Sequence, residues 1–402
     1  MSMEKTMVPQ SRFREFSDEW ATSLLDDYAT RGSGHTPSKS HPEYYDGDIP
    51  WISLTDSKSL DKGFIDSTKT KITDLGIKNS SAVVHPKGTV LLSRDAGVGK
   101  SAVMQNSMAV SQHFIVWKPK SGVSTTWFLY YWLQIMKPHF ERIAVGSTIK
   151  TIGLPFFKKL KIAAPTLPEQ EKIAAFLTSV DARIEQLKRK KSLLQDYKKG
   201  VMQRLFSQQL RFKDQNGNPY PDWQEKKLGD AVEINPKSAL LPDTFLYIDL
   251  ESVNDGVLSP PREMIISDAP SRAQRLMQKG DVLYQMVRPY QKNNLQFQND
   301  GDYVASTGFA QLRASNNSSD FIYQLLLTDR FTDSVLKRCT GTSYPAINSS
   351  DLADILIQVP HPTEQTKIAN FLSTLDTKIE QVTQQITQTQ TFKKGLLQQM
   401  FV

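Results

Sequence analysis

The sequence predicts an α+β protein in which two mixed α/β lobes alternate with two long helices. The first observation is the stretch "EQEKIAAFLTSVDARIEQ" from Glu169, which returns as "EQTKIANFLSTLDTKIEQ" from Glu364. The second is that apolar residues recur every three or four positions in both copies, the pattern of a heptad seam. The third is that short β-type runs separated by turns fill the chain before each copy. The order is therefore lobe, helix, lobe, helix.

The repeat extends over the whole of each long helix. A shift of 195 residues aligns residues 169–206 with 364–401 without a gap, and 17 of the 38 positions are identical. The same shift aligns "GSTIKTI" from Gly146 with "GTSYPAI" from Gly341. Further upstream the likeness weakens but persists. Because the period is far too long for a solenoid, the pattern indicates a duplication in which the lobes have diverged more than the helices.

Each long helix carries one apolar stripe and needs a partner to cover it. The first stripe runs from Ile173 to Leu205, and the second from Ile368 to Met400. A helix of about 38 residues is about 57 Å long. We expect the two copies to pair as an antiparallel coiled coil related by an internal pseudo-two-fold. The alternative is that each helix packs on its own lobe.

Four segments follow from this pattern. They are a first lobe over residues 1–165, a first long helix over 166–208, a linker and second lobe over 209–360, and a second long helix over 361–402. The join "FKDQNGNPYPDW" from Phe212 is rich in turn-forming residues. Strands are predicted in "IPWISL", "GTVLLS", "QHFIVW", "TFLYIDL", "GDVLYQM" and "GFAQLR". Buried helices are predicted in "STTWFLYYWLQIM" and "SDFIYQLLLTDRF".

Composition limits the classes of function. The formal net charge of +7 and the pI near 9.1 suit a protein that meets an anionic polymer. The single cysteine, Cys339, excludes a disulfide framework and a cysteine-based zinc site, and the six histidines show no metal-ligand spacing. No apolar run is long enough to span a membrane, and no signal peptide is apparent. We therefore expect a cytoplasmic protein with no metal site and no membrane contact.

One segment comes close to a nucleotide-binding motif. "RDAGVGKS" ends like a P-loop, but Arg94 stands where the motif requires its first glycine. The sequence instead predicts a glycine-rich hairpin turn. The alternative is a turn that also presents Arg94 and Lys100 to phosphate or to a base edge. The matching "MVRPYQKNN" keeps Arg288 and Lys292 without the glycines, which favours DNA over a nucleotide. With no catalytic triad or carboxylate pair either, we predict a binder with no catalytic residue.

On the sequence features described above, the chain resembles the specificity (S) subunits of Type I restriction–modification systems. The resemblance rests on the repeated "PEQEKIAAFL" and "KKG.MQ.LF" helix motifs and covers essentially the whole chain. It implies that the lobes are target recognition domains, each reading half of a split double-stranded DNA site. It also implies that the helices set the spacer and dock two methyltransferase (M) subunits, which restriction/motor (R) subunits join. S-adenosylmethionine, ATP and Mg²⁺ would then serve DNA methylation and cleavage on the partners, with no cofactor in this chain.

Two sets of candidate residues follow. The DNA-binding candidates lie in the matched turns and in the loops before the long helices: Arg94, Lys100, Ser147, Thr148, Lys150, Arg288, Tyr290, Lys292, Thr342, Ser343 and Tyr344. The candidates for contact with M, or for capping the helix seam, are matched polar positions: Gln170, Lys172, Asp181, Glu185, Gln365, Lys367, Asp376 and Glu380. The alternatives left open are a coiled-coil scaffold without DNA specificity and a P-loop ATPase or stand-alone methylase.

Overall fold

The computed structural model describes residues 7–237 and 240–402, which form two compact units. The first unit comprises residues 7–187 and Gln385–Val402, and the second lies within Lys188–Gln384. Both boundaries fall inside long helices. Each unit therefore contains one lobe, the first part of one long helix and the last part of the other.

The first unit is built on three sheets. Its strands are β1 (Ala21–Leu24), β2 (Ala29–Ser33), β3 (Tyr45–Ile52), β4 (Phe64–Ile65), β5 (Thr70–Ile72), β6 (Val84–His85), β7 (Val90–Ser93), β8 (Ser101–Met104), β9 (Met108–Val110), β10 (Phe114–Pro119) and β11 (Lys161–Ala164). Their orders are β1-β11, β2-β10-β7-β8-β4 and β5-β3-β9-β6, and the pairs β3/β9 and β4/β8 are parallel. Its helices are α1 (Leu25–Tyr28), α2 (Asp74–Lys78), α3 (Thr126–Ile143), α4 (Leu154–Lys158) and the start of α5 (Leu167–Phe206).

The second unit repeats this plan. Its strands are β12 (Gln224–Lys227), β13 (Glu233–Ile234), β14 (Thr244–Ile248), β15 (Val253–Asn254), β16 (Val257–Leu258), β17 (Arg262–Ile265), β18 (Ala273–Leu276), β19 (Val282–Gln285), β20 (Leu295–Gln296), β21 (Tyr303–Ser306), β22 (Phe309–Arg313) and β23 (Leu356–Val359). Its helices are α6 (Leu228–Ala231), α7 (Ser319–Leu326), α8 (Asp329–Leu336), α9 (Ser349–Ala353) and the start of α10 (Pro362–Gln399).

The duplication is clearer in topology than in sequence. The order β2-β10-β7-β8 corresponds to β13-β22-β19-β20, and β5-β3-β9-β6 corresponds to β17-β14-β21-β18. Even the parallel pair is preserved, since β3/β9 is matched by β14/β21. Strand β4 and the hairpin β15–β16 have no counterpart in the other unit. The predicted α+β fold with an internal duplication is therefore confirmed.

The strands predicted from short β-type runs all form, and both predicted helical segments are helical, but one of them is divided into two helices. The segment from Ser318 contains two helices, α7 and α8, and Thr328 stands between them. Its hydroxyl accepts the amide N–H of Phe331 at 3.2 Å, so it acts as the N-cap of α8. A threonine that satisfies a free amide in this way favours a new helix start over continuation of the old one.

The two long helices pair antiparallel in the first unit. Lys393 Nζ of α10 donates to Asp181 Oδ1 of α5 at 2.6 Å. Ile173 and Leu177, which lie near the start of α5, share a hydrophobic cluster with Met400, which directly follows the end of α10. That cluster also contains residues of β7, β10 and α3. Helix pairing and packing on the lobe, the two alternatives considered above, therefore both occur.

The second unit shows the same pairing with the helices exchanged. Lys198 Nζ of α5 donates to Asp376 Oδ1 of α10 at 2.6 Å. Leu205, later in α5, shares a cluster with Leu372, earlier in α10. The buried seam positions are those that the heptad pattern predicts, because nearly all of them lie at the alternating three- and four-residue steps.

An aromatic residue at the end of α5 and another just beyond the end of α10 each close the core of a lobe. Phe401 lies 6.0 Å from the ring of Trp20 and 5.2 Å from that of Phe128 in the first unit. Phe206 lies 6.3 Å from Trp223 in the second. These contacts explain why the motif at the helix ends occurs twice. No helix in the described residues is both long and apolar enough to cross a membrane.

Candidate nucleic-acid interface

The glycine-rich segment between β7 and β8 is a hairpin turn, as predicted. Ala96, Gly97 and Gly99 adopt positive φ angles of 38°, 101° and 87°. The amide of Gly99 donates to Ser93 O at 3.0 Å, and that of Lys100 donates to Gly97 O at 3.2 Å. A P-loop leads from a strand into a helix and leaves its amides for phosphate. This turn leads into a strand and uses these amides itself, so it is not a P-loop.

A second loop precedes the long helix in each unit and has the same geometry in both. Val145 and Thr151 exchange backbone hydrogen bonds of 3.1 and 2.9 Å, which close a loop over residues 146–150. Thr340 and Ala346 exchange bonds of 2.9 and 3.0 Å around residues 341–345. Six candidates lie in these loops with exposed side chains: Ser147, Thr148, Lys150, Thr342, Ser343 and Tyr344.

The structure brings the two groups of DNA-binding candidates together in each unit. In the first unit the amide of Ile152 donates to Arg94 O at 2.9 Å, which joins the end of the loop to the β7–β8 turn. In the second unit the amide of Arg288 donates to Pro345 O at 2.7 Å. Turn and loop, some 50 residues apart in sequence, thus form one surface on each unit.

In the first unit the arginine of this surface lies beside an acid. Arg94 is half-buried, and its Nε lies 3.6 Å from Asp95 Oδ1. That carboxylate also contacts Thr151 and lies 2.7 Å from His113 Nδ1. The Arg94 Nε is buried and has no hydrogen-bond partner among the described residues. The charge of Arg94 is therefore largely balanced by its own unit.

The candidate lysines in the turns contact their own unit. Lys100 Nζ donates to the backbone and hydroxyl oxygens of Ser57, both at 3.3 Å. Lys292 Nζ donates to Leu327 O at 2.9 Å and to Asp329 Oδ1 at 2.6 Å. The latter bond lowers the pKa of Asp329. Both lysines therefore hold the turns in place, and their contact with DNA stays a prediction.

Arg288 is held differently from Arg94. Its Cζ lies 4.2 Å above the centre of the Tyr344 ring. The guanidinium makes no hydrogen bond or ion pair within residues 7–237 and 240–402. Its neighbour Tyr290 is half exposed. The second unit thus presents a cationic, aromatic surface where the first presents a neutralised one.

Two of the residues predicted to contact a partner are buried. Gln170 and Gln365 are each 1% exposed. Gln170 Nε2 donates to Pro165 O at 2.9 Å, and Gln365 Nε2 donates to Pro360 O at 3.0 Å. They satisfy carbonyl groups where a strand passes into a long helix. A contact with another subunit is not available to these two side chains, so for them that prediction was wrong.

The matched aspartates cap the helix seam, which was the other possibility for this set. Asp181 accepts the Tyr131 hydroxyl at 2.7 Å, in addition to the Lys393 ammonium. Asp376 accepts Gln324 Nε2 at 3.0 Å, in addition to Lys198. Asp181 therefore links the two long helices to α3, and Asp376 links them to α7.

The other four members of the set lie at the helix surface. Lys172 pairs with Glu15, and Lys367 donates to Lys213 O at 2.6 Å, so both hold the segments that precede the lobes. Glu185 and Glu380 are exposed. Their contact with a partner stays a prediction.

Sequence reasoning missed two buried clamps. Arg12 Nε and Nη2 each donate to Glu169 at 2.7 Å. Arg211 Nε and Nη2 donate to Glu364 at 3.2 and 2.8 Å. The two carboxylates are 2% and 0% exposed. The available signal was an Arg-Phe pair before each lobe, together with an identical glutamate at the first aligned helix position.

Two exposed aromatic side chains were also missed. Tyr197 on α5 and Phe392 on α10 are each 55% exposed, and the shift of 195 residues aligns them. A single exposed apolar residue needs no explanation. Two at equivalent positions of a duplicated helix indicate two equivalent surfaces.

Comparison with known proteins agrees with this architecture. The family model for the Type I restriction modification DNA specificity domain matches residues 17–195 and 220–389. The MjaIX specificity subunit of a Type I restriction enzyme from Methanocaldococcus jannaschii is 25% identical over 98% of this chain and 95% of its own length.

Two solved structures share the fold. The S subunit of a Type I restriction–modification system from M. genitalium superposes with a TM-score of 0.60 at 17% identity, covering 98% of this chain and 99% of its own. A chain from a study of complex assembly and conformational transition in a type I R-M system gives 0.58 at 18% identity, covering 94% and 95%. Since the family model covers most of both halves, the chain belongs to the Type I restriction–modification DNA specificity family, and its role is recognition of a DNA sequence.

Proposed function

We propose that each unit reads one half of a bipartite double-stranded DNA target, while α5 and α10 set the spacer and hold two M subunits. The observation that carries this proposal is that one topology occurs twice, with different exposed loops and with long helices that share 17 of 38 aligned positions. The chain would be a non-catalytic subunit of the complex that R subunits join. S-adenosylmethionine, ATP and Mg²⁺ would bind to those partners.

Different loops on one scaffold support the reading of two different half-sites. The loop residues are "GSTIK" in the first unit and "GTSYP" in the second, although both loops are closed by the same backbone pairing. Sequence is read by side chains at base edges, whereas contacts with phosphate only position the protein. Equivalent loops with different side chains would therefore read different bases at equivalent places.

The helix pairing supports a role in spacing. Along α5, Asp181 and Lys198 are 17 residues apart (198 − 181), and along α10 Asp376 and Lys393 are also 17 apart (393 − 376). A helical segment of that length spans about 26 Å. Each long helix thus carries the same pair of charged residues at the same interval, which favours two equivalent elements that set one spacer.

The matched aromatic residues support docking of two copies of one partner. Tyr197 and Phe392 present the same kind of side chain at equivalent helix positions, and equivalent surfaces accept identical subunits. We expect Tyr197→Ser and Phe392→Ser each to reduce the number of bound M subunits from two to one, and the double variant to bind none. Native mass spectrometry measures the number. Two bound copies in both single variants would contradict this assignment.

The central test is a map of DNA methylation. The chain is co-expressed with its methyltransferase subunit in a host free of adenine methylation, and modified adenines are mapped across the genome. We expect one split motif that is absent when either protein is omitted. Co-purification of the two proteins without new methylation would favour the scaffold alternative. Methyl transfer or ATP hydrolysis by this chain alone would contradict the non-catalytic assignment.

Two loop variants serve as controls for each other. The first replaces Ser147, Thr148 and Lys150 by alanine, and the second replaces Thr342, Ser343 and Tyr344. We expect each triple variant to alter recognition in one half of the motif and to leave the other half unchanged. An equal effect of either variant on both halves would contradict the assignment of one half-site to each unit.

A further inference from the structure

In the second unit the guanidinium of one arginine stacks face-on against an aromatic ring, and its N–H donors make no hydrogen bond to the described residues. The Cζ atom of Arg288 lies 4.2 Å above the centre of the Tyr344 ring. Throughout the described part of the chain, no acceptor bonds to its guanidinium. A guanidinium carries its N–H donors in the plane of the group, so stacking on a ring uses the face and leaves the donors available.

The backbone at Arg288 is held in an unusual conformation. Its φ and ψ are 55° and 53°, in the left-handed region that side chains other than glycine seldom adopt. The strain is maintained by backbone bonds on both sides: Arg288 N–H donates to Pro345 O at 2.7 Å, and Gln291 N–H donates to Arg288 O at 3.0 Å. Strained residues held in this way are concentrated at functional sites. The side chain is thus oriented before any ligand binds.

The first unit lacks this arrangement at the equivalent place. The bridge Asp95–Thr151 corresponds to Val287–Ala346, so the residue equivalent to Arg288 is Ala96, which also has a positive φ, of 38°. Arg94, the arginine of that turn, lies two residues earlier, 3.6 Å from the carboxylate of Asp95. The residue aligned with Tyr344 is Ile149, which is exposed and cannot stack with a cation in the same way. The stacked arginine is therefore a property of one reading surface and not of the duplicated scaffold.

The chemistry of such a group identifies its ligand. Two parallel N–H donors of a guanidinium match the O6 and N7 acceptors of guanine in the major groove, and no other base presents that pair. We propose that Arg288 reads a guanine in the half-site recognised by the second unit, with Tyr344 as the positioning residue that orients it. The inference rests on the proposed function, in which each unit reads one half-site.

The first experiment changes the DNA and leaves the protein unaltered. The complex of this chain with its M subunits binds duplexes in which each guanine of the mapped half-site is replaced in turn by 7-deazaguanine, which lacks N7. We expect one position to weaken binding by roughly 5- to 150-fold. No loss at any position, or a half-site without guanine on either strand, would overturn the proposal.

The second experiment changes the arginine. Arg288→Ala should weaken binding to the unmodified duplex. Replacement of guanine by 7-deazaguanine at the sensitive position should then cause no further loss of binding. Arg288→Lys keeps the charge but not the two parallel donors, so it should lose most of the same discrimination. Arg94→Ala, which removes the turn arginine of the other unit, serves as the control and should retain the full response at that position. Retention of the response in Arg288→Ala would overturn the proposal.

A third comparison tests the positioning role of the tyrosine. Tyr344→Phe keeps the ring and should retain the sensitivity to 7-deazaguanine, whereas Tyr344→Ala should reduce it. A phosphate contact gives a different result: Arg288→Ala would then weaken binding to all duplexes equally and lower the slope of log K against log salt by about 1. That result would overturn base reading by Arg288, while a methylation motif that persists would leave the bipartite function standing.

Discussion

Two buried carboxylates depend on one arginine each, and we predict that Arg12→Ala is severely destabilising. Glu169 is 2% exposed, and both its oxygens accept hydrogen bonds of 2.7 Å from Arg12. Among the described residues no other side chain donates to that carboxylate. Removal of one partner of a buried ion pair leaves an uncompensated charge, which costs about 3–5 kcal/mol. The cost falls on the first unit, where Glu169 begins the first long helix.

The matched variant Arg211→Ala should cost less. Trp223 Nε1 donates to Glu364 at 3.1 Å, so that carboxylate retains one donor after the change. A hydrogen bond to a charged group contributes about 1.5–3 kcal/mol. The equivalent Trp20 Nε1 has no hydrogen-bond partner within the described ranges. The difference between the two variants measures what the tryptophan contributes.

Thermal unfolding followed by circular dichroism measures both losses. For a unit of about 200 residues, 1 kcal/mol shifts the Tm by about 2–4 °C, so Arg12→Ala should lower it by about 6–20 °C.

A further substitution separates the charge from the packing. Glu169→Gln in the Arg12→Ala background removes the buried charge and should recover much of the lost stability at pH 7. A Tm loss of less than 1 °C for Arg12→Ala, or no recovery of the Tm when Glu169→Gln is added to it, would refute the argument from an uncompensated carboxylate.

Three other outcomes are expected. Arg94→Ala should impair recognition of one half-site and leave the helices folded, and unchanged binding to the cognate duplex at moderate salt would remove this residue from the interface. A heptad inserted into both long helices adds about 10 Å and should lengthen the spacer by about three base pairs, as read from the methylation motif; an unchanged spacer would contradict the role of the helices. Phe401→Ala should cost about 3–5 kcal/mol in the first unit, seen as faster hydrogen exchange there, and Phe206→Ala should do the same in the second. Equal acceleration in both units by one variant would contradict separate cores.

The long helices were predictable from sequence because their pattern is local. Apolar residues at heptad spacing predict a seam whatever covers it, and Leu177 and Leu372, both fully buried, lie on it. The same pattern could not show that the apolar stripe of each long helix packs against both the other long helix and a lobe. That outcome depends on Trp20 and Phe128, which come from distant parts of the chain.

The clamps and the arginine stack could not be predicted, because they depend on contacts between residues far apart. Arg12 and Glu169 are 157 positions apart, and Arg211 and Glu364 are 153 apart. Nothing local marks these arginines as buried. In the same way, "MVRPYQKNN" shows that a cation is present at Arg288, but only the fold shows that an aromatic ring lies beneath it.

Each unit contains the start of one long helix and the end of the other, and this arrangement has a consequence for folding during synthesis. The first unit includes residues 385–402, so its core stays open at Trp20 and Phe128 until Phe401 has been made. The 214 residues from Lys188 to Phe401 (401 − 187) take roughly 11–43 s to translate at 5–20 residues per second.

During that interval an incomplete hydrophobic core faces the solvent and the other chains on the polysome, which favours aggregation. The second unit, by contrast, is complete in sequence when Gln384 has left the ribosome. The lobe that is made first therefore finishes folding last. A substitution near the C-terminus would reduce the yield of folded protein through the N-terminal lobe.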